Sequence, residues 1–315
     1  MDFDLNDEQR AVAEAVETLL GEYAGAPRAV EIAAGEGYDH ALDAALAEAG
    51  YGDIARAMGR LEASLVVEAV ARAGGLVAAG AGLLAVPALG EEAMPGPVAL
   101  MTADHRGPVR YAAHARTLLV LEGDAVRRVE LAPGACPGVA SNFGFPMGRV
   151  PDECARGGET LAAGSGARLC DAWRLGLAAE TVGCMEAALG QTADYLKERR
   201  QFGKAIASFQ AVQHRLAECA IQLEASRWLT REAAHASDNP EAIAIAAAYS
   251  LDAAGLVFAE THQLSGAIGF TREHPLHVWS MRLHALRQEL GGVGGHRRAV
   301  VEARWGQGAG AEVGT

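Results

Sequence analysis

Lys197-Glu198-Arg199-Arg200-Gln201-Phe202-Gly203-Lys204 is the stretch on which the reading of this chain turns. It separates two apolar stripes of helical period. Before it, Leu177, Val182, Met185, Leu189, Thr192 and Leu196 recur on one helix face. After Ser208, Phe209, Val212, Leu216, Cys219 and Leu223 do the same. The eight residues are therefore a loop between two long helices. Beyond them, Asn239-Pro240 opens a third helix, with proline suited to the first turn. A fourth is expected from about Pro275 to Leu290, resuming past the glycine break at 291–295. Four such helices with short connectors predict a four-helix bundle over residues 170–305.

Upstream the pattern changes twice. Residues 1–92 read as a helical domain of short elements. Asn6-Asp7-Glu8-Gln9 resembles a capping box and starts a helix to about Leu20, and further helices are expected over 41–49, 60–72 and 77–85. Residues 93–169 carry prolines, glycines and β-type runs. The clearest is Thr117–Glu122, then Gly123-Asp124, then Ala125–Leu131, a predicted hairpin within a small region of four or five strands. The glycine-rich residues 306–315 read as a flexible tail. The expected fold class is mainly α with a small central β region.

Composition excludes several roles. Half of the residues are hydrophobic, against the signature of disorder. A formal charge of −13 opposes nucleic-acid or anionic-membrane partners. Cys136, Cys154, Cys170, Cys184 and Cys219 are scattered and odd in number, so neither a disulfide framework nor a zinc knuckle is expected. The histidines at 262, 274, 277, 284 and 296 lack an accompanying cysteine or carboxylate set, and no metal site is expected. The acidic start has no apolar signal region. The apolar run 242–259 carries Asp252 near its middle, unfavourable at a bilayer centre. Both point to a cytoplasmic protein with no membrane insertion.

The charge that remains is unevenly placed. Both lysines of the chain, Lys197 and Lys204, fall in the loop quoted above, beside Arg199 and Arg200. A guanidinium can hold a pyrophosphate through paired hydrogen bonds, and Phe202 can lie against an adenine ring. The alternative is a solvated helix end whose cations answer the helix dipole. A second stretch, Gln263-Leu264-Ser265-Gly266-Ala267-Ile268-Gly269, offers an amide and glycines that let a ligand approach the backbone, though a helix-ending glycine explains much of it.

Taken together, these motifs resemble the acyl-CoA dehydrogenase family. Arg200-Gln201-Phe202-Gly203 is similar to its Arg-x-Phe-Gly signature, and Gln263-x-x-Gly266-x-x-Gly269 to its Gln-x-x-Gly-Gly-x-Gly signature, with Ala267 in place of one glycine. Phe209-Gln210-Ala211-Val212-Gln213-His214-Arg215-Leu216-Ala217 is similar to a third stretch of that family. The order helical, β, four-helix bundle also fits. The resemblance implies FAD as cofactor. Arg200 would contact its pyrophosphate, Phe202 its adenine, and Gln263 with Gly266 its adenosine end, with Gly203 and Gly269 also in the cofactor site, all toward a flavin bound mainly by a neighbouring subunit. Ordinary members are longer, with a fuller β domain, and a Thr-Glu-Pro type segment is not found between Pro97 and Leu169. The chain therefore resembles the short subunits of heteromeric α2β2 acyl-CoA dehydrogenases of bacterial steroid side-chain degradation. That implies a longer partner subunit, an acyl-CoA substrate, and an electron-transferring flavoprotein as acceptor. A non-catalytic subunit completing its partner's flavin site is the alternative.

In that family a carboxylate removes the α-proton of the thioester while hydride leaves the β-carbon for the flavin. Aligned on Arg282, the usual position of that base is Gly291 here. Other members carry it on the third bundle helix, where counting back from Gly269 reaches Asp252. The residues favour Asp252 independently. It is the only charged side chain between Glu241 and Glu260, and Ile245, Tyr249, Leu256 and Ala259 share its helical face. An apolar stripe is expected to desolvate the carboxylate and raise its pKa. The competing reading is a structural aspartate paired with an arginine.

Overall fold

The computed structural model describes residues 4–306 apart from 36, 91–93 and 237. The boundary drawn between 92 and 93, and all of the expected tail after 306, lie outside the described residues. Helix α1 (Asp7–Tyr23) starts on a true capping box. The Asn6 side chain accepts from the Gln9 N–H at 2.8 Å, and the Gln9 side chain accepts from the Asn6 N–H at 3.0 Å. Helices α2 (Ala26–Ala34), α3 (His40–Glu48), α4 (Ile54–Ala57) and α5 (Arg60–Arg72) follow. Periodicity missed α2 and α4, which are too short to set an apolar stripe. The helix expected over 77–85 does form, over residues 79–88, but not as a plain α-helix. Residues 81–85 form one π-helical turn, continued by α6 (Val86–Ala88). Gly80 lies where a Cβ would come within 2.7 Å of Glu180 Oε1, so close approach to the bundle shapes this segment.

The β region holds seven short strands among the described residues: β1 (Val98–Thr102), β2 (Val109–Arg110), β3 (Thr117–Glu122), β4 (Ala125–Glu130), β5 (Gly138–Val139), β6 (Met147–Gly148) and β7 (Glu159–Thr160). Helix α7 (Asp152–Arg156) precedes the last of them. One sheet runs β1-β3-β4-β7, with β1 parallel to β3; the other runs β2-β6-β5. The hairpin read from the sequence is β3–β4, in register Leu118 to Val129 across Gly123-Asp124. More strands form than expected because two-residue strands carry no alternation to read.

The bundle begins with α8 (Ser165–Glu198), earlier than residue 170. A tight hairpin, β8 (Arg200–Gln201) and β9 (Lys204–Ala205), leads to α9 (Gln210–His235). Helix α10 (Pro240–Ser265) follows, capped as an Asn-Pro start should be: the Asn239 side chain accepts from the Ala242 N–H at 3.0 Å. The fourth helix is divided into α11 (His277–Leu286) and α12 (Gly292–Trp305). The chain turns between them through Leu290, at φ 51° and ψ 40°. Close approach explains several glycines of α8. A Cβ on Gly183 would sit 2.2 Å from the Glu68 carbonyl oxygen of α5.

Helix α10 is apolar nearly all round. Small residues face inward: Ala244, Ala247, Leu251 and Ala254 are buried, and the helix lies between α8, α9 and α12. The stretch Pro240–Phe270 is long and apolar enough to cross a membrane, but half of its most apolar window is buried in the bundle. Burial accounts for that hydropathy.

Arg282 of α11 ties the three regions together. It is 2% exposed, and its guanidinium donates to the carbonyls of Gly74, Gly75 and Gly144 at 3.0–3.1 Å. Gly74 and Gly75 follow α5, and Gly144 precedes β6, so one side chain satisfies backbone from both other regions.

Candidate functional site

The loop quoted at the outset folds as a two-residue hairpin. Phe202 (φ 54°) and Gly203 (φ 80°) both take left-handed backbone. This is the turn that matches strand twist and usually carries Asn-Gly. A phenylalanine there costs about 1–2 kcal/mol. The strain holds the ring in the open: Phe202 is 90% exposed, with only an edge contact to Phe209 at 6.1 Å between centroids. Lys204 Nζ lies 4.2 Å from the Phe209 ring centroid, and Lys197 pairs with Asp194 at 2.8 Å. The Arg200 side chain is exposed and makes no hydrogen bond or ion pair among the described residues.

The second motif ends α10. Gln263 and Gly266 are exposed, Gly266 has φ 64°, and a Cβ there would meet nothing within 4 Å. Gly269 is buried, with Ser265 Cβ 2.8 Å from where its own Cβ would be. Both motifs lie at one end of the bundle. Helices α8 and α10 run the same way because α9 reverses between them. Arg215 at the start of α9 pairs with Glu260 near the end of α10. Tyr195 in the last turn of α8 meets the His274 ring edge-on at 5.5 Å. The fold thus brings the two predicted groups to one end, exposed and unengaged but for the buried Gly269, although they stand some 60 residues apart in sequence.

Asp252 is elsewhere, and its expected setting is corrected. The stripe of Ile245, Tyr249, Asp252, Leu256 and Ala259 exists, but it faces outward. Its carboxylate is 53% exposed and pairs with Arg297 of α12 at 2.8 Å. The alanines supply the inward face, because small residues let α8 and α9 approach closely. The bulkier apolar residues are left outside, Leu256 at 39% exposure. Apolar periodicity located the stripe; it could not say which of two apolar faces is buried.

Sequence reasoning missed a cleft where the sheets meet the bundle. About 410 Å³ in volume, it is lined by Leu100, Met101 and Thr102 of β1, by Val109, Phe143 and Met147, and by Trp173, Leu290 and Gly291. Its floor is charged. Arg110 of β2 pairs with Glu180 of α8 and, through Nε at 2.7 Å, with Glu289. The Trp173 indole donates to the other Glu289 oxygen at 2.5 Å. Burial opposes charge on Arg110, yet its two carboxylates hold it more firmly protonated than usual. Burial pushes Glu289 above the usual carboxylate range, and Arg110 restrains that shift without cancelling it. Gly291, where the resemblance places the usual base, does line the cleft. The cleft was illegible because its residues come from five separated segments with no shared motif.

The helical region, the small paired sheets and the bundle define the acyl-CoA dehydrogenase fold. Residues 169–304 match the family model described as the acyl-CoA dehydrogenase C-terminal domain. It is 40% identical to acyl-CoA dehydrogenase IpdE2 of Mycobacterium tuberculosis over 114 residues, 36% of each chain. It is 35% identical to acyl-CoA dehydrogenase FadE34 of the same organism over 167 residues, 51% of this chain and 23% of that one. The aligned part is thus well under half the length of these relatives. Among solved structures, a variant of the Tcur3481-Tcur3483 steroid ACAD superposes with TM-score 0.81 at 23% identity, covering 95% of this chain and 98% of the other. The ChsE4-ChsE5 complex from Mycobacterium tuberculosis gives 0.77 at 20% identity, with complete coverage of both chains. These likenesses establish the fold.

Proposed function

We propose that this chain is one subunit of an FAD-dependent acyl-CoA dehydrogenase that makes an α,β-unsaturated thioester, in an α2β2 assembly with a longer partner. The observation that carries the reading is the pair of motifs at one end of the bundle. Arg200, Phe202, Gly203, Gln263, Gly266 and Gly269 fit the ADP half of FAD. They combine an unengaged guanidinium, an exposed ring held out by backbone strain, an exposed amide, and an open glycine that admits a ligand to the backbone. Bound there, FAD supplies the hydride acceptor. The outward apolar stripe of α10 supports a partner subunit, since an unpaired apolar helix face gains by being covered. A bulky, steroid-derived acyl group is the substrate class we favour, by likeness to the Tcur3481-Tcur3483 steroid ACAD. An electron-transferring flavoprotein is the proposed acceptor.

Co-expression with the product of the neighbouring reading frame tests this. The complex should carry FAD, the chain alone should purify without it, and Arg200→Ala in the complex should reduce flavin retention. A fully flavinated homotetramer of the chain alone refutes the shared site.

One arrangement favours the second reading, in which the partner supplies the base. Gly291 offers no carboxylate, Glu289 has both oxygens engaged, and Asp252 is answered by Arg297. Asp252→Asn in the complex separates the two. Lost turnover with FAD and thioester still bound assigns the base to Asp252; full turnover assigns it to the partner. In the isolated chain the same change should shift stability by well under 1 kcal/mol, as for an exposed ion pair.

A further inference from the structure

Between α3, the π-helical turn at 81–85 and the start of β1 lies a groove of about 540 Å³. It shares no residue with the Arg110 cleft and none with the Arg200 and Gln263 motifs. Its floor is apolar, made by Leu46 of α3 with Val77, Leu83, Val86 and Val98. Part of its lining is bare backbone. A Cβ on Gly50, Gly52 or Gly82 would meet nothing within 4 Å, so the groove lies open along three glycines from separate turns. Gly82 sits inside the π turn, a rare conformation that concentrates at functional sites.

One carboxylate in the groove is unanswered. Asp53 and Arg56, both on the lining, pair with each other at 2.9 Å. Asp43 of α3 is half-buried on the same lining and has no ion pair among the described residues. The Tyr38 hydroxyl, buried and accepting from the Ala78 N–H at 3.1 Å, donates to it. Burial raises the Asp43 carboxyl above its usual range, and Tyr38 and the nearby His40 oppose that shift without cancelling it. A carboxylate drawn away from water without a cation gains most from a cationic ligand. The Tyr38 ring, 5.0 Å from that of His40 between centroids, also borders the groove, and an aromatic ring attracts an ammonium.

We infer that this groove binds a small organic ammonium ion on an apolar body, with Asp43 as counter-ion and the aliphatic floor covering the body. The three donors of an ammonium suit one carboxylate together with the backbone carbonyls that a glycine lining leaves accessible. An anionic ligand would find no unpaired lysine or arginine on this lining. The site stands whether or not flavin is shared.

Calorimetric titration of the full chain with phenethylamine, with neutral 2-phenylethanol and with phenylacetate tests it. The amine should bind, the alcohol roughly tenfold more weakly, and the acid not at all. Asp43→Asn should weaken the amine by roughly tenfold and leave the alcohol unchanged. The same change should hold or raise the thermal midpoint, because burial already disfavours the charge, so lost binding is not lost folding. Gly82→Leu puts a side chain into the open groove and should abolish binding of the amine. Failure of the amine to bind the wild-type chain overturns the proposal, as does equal binding of amine and alcohol. So does amine binding that survives both Asp43→Asn and Gly82→Leu, which is the general attraction of a chain of charge −13 for any cation.

Discussion

Replacing Arg110 by Met removes the cation from the floor of the cleft and leaves its shape nearly intact. In the native chain, the Arg110 side chain is 12% exposed, and its partners Glu180 and Glu289 are 9% and 18% exposed. Taking away one member of a buried ion pair costs about 3–5 kcal/mol, because the remaining charge is stranded. Here two carboxylates lose one cation, so the upper part of that range applies. At roughly 2 °C per kcal/mol for a chain of this size, the thermal midpoint should fall by about 8–10 °C. The pH dependence is the sharper test. Burial already raises Glu289, and without Arg110 its folded pKa must rise further above the unfolded value. A carboxylate raised in the fold binds its proton more tightly there. Stability is therefore lost as pH rises through that window and recovered as it falls. Urea unfolding followed by tryptophan fluorescence at about pH 7.5 and about pH 5.5 reads this directly, since Trp173 donates to Glu289. Arg110→Met should regain part of its loss at the lower pH, and Glu289→Gln should cost less in the Arg110→Met background than in the native one. A loss below about 1 kcal/mol with no recovery at low pH refutes the stranded-charge argument.

Other perturbations follow from the same geometry. Gly183→Ala forces a Cβ into the α5 backbone and should cost about 3 kcal/mol in urea unfolding, whereas Gly190→Ala, where a Cβ meets nothing within 4 Å, should be neutral or stabilising. Phe202→Asn relieves the left-handed strain and should stabilise the chain by about 1 kcal/mol, while lowering flavin retention in the complex. His296 is fully buried, and burial, with Arg174 nearby, pushes it down to about 4. Its unfolded form takes up a proton first as pH falls below 6.5, so stability drops between pH 6.5 and about 4; His296→Gln should flatten that limb of a pH titration of the unfolding midpoint.

The bundle was the most legible part of the fold, because long amphipathic helices repeat their signal over many turns. The capping box at Asn6 and the β3–β4 hairpin were equally clear, each resting on local chemistry. What failed was long-range or short. Strands of two residues have no period, and Gly80 is placed by a neighbour some hundred residues away. For the site, the hairpin and the α10 turn could be read because their motifs are contiguous. The cleft could not, since Arg110, Glu180 and Glu289 meet only after three regions close. Asp252 shows the middle case: its stripe was found, and its orientation was set by alanines that pack better than leucines between close helices.

Arg282 has a consequence for how this chain reaches its fold. Its three carbonyl partners lie 138–208 residues away in sequence, so every one of its bonds closes a very long loop. Such contacts form only after the intervening chain has been ordered, and they slow folding rather than seed it. The helical hairpins can assemble first from local contacts. The β region, whose strands are short and whose larger core is shared with the helices, must then be captured between them. The seating of one guanidinium is thus a natural last step, and the three regions read separately in sequence should unfold together.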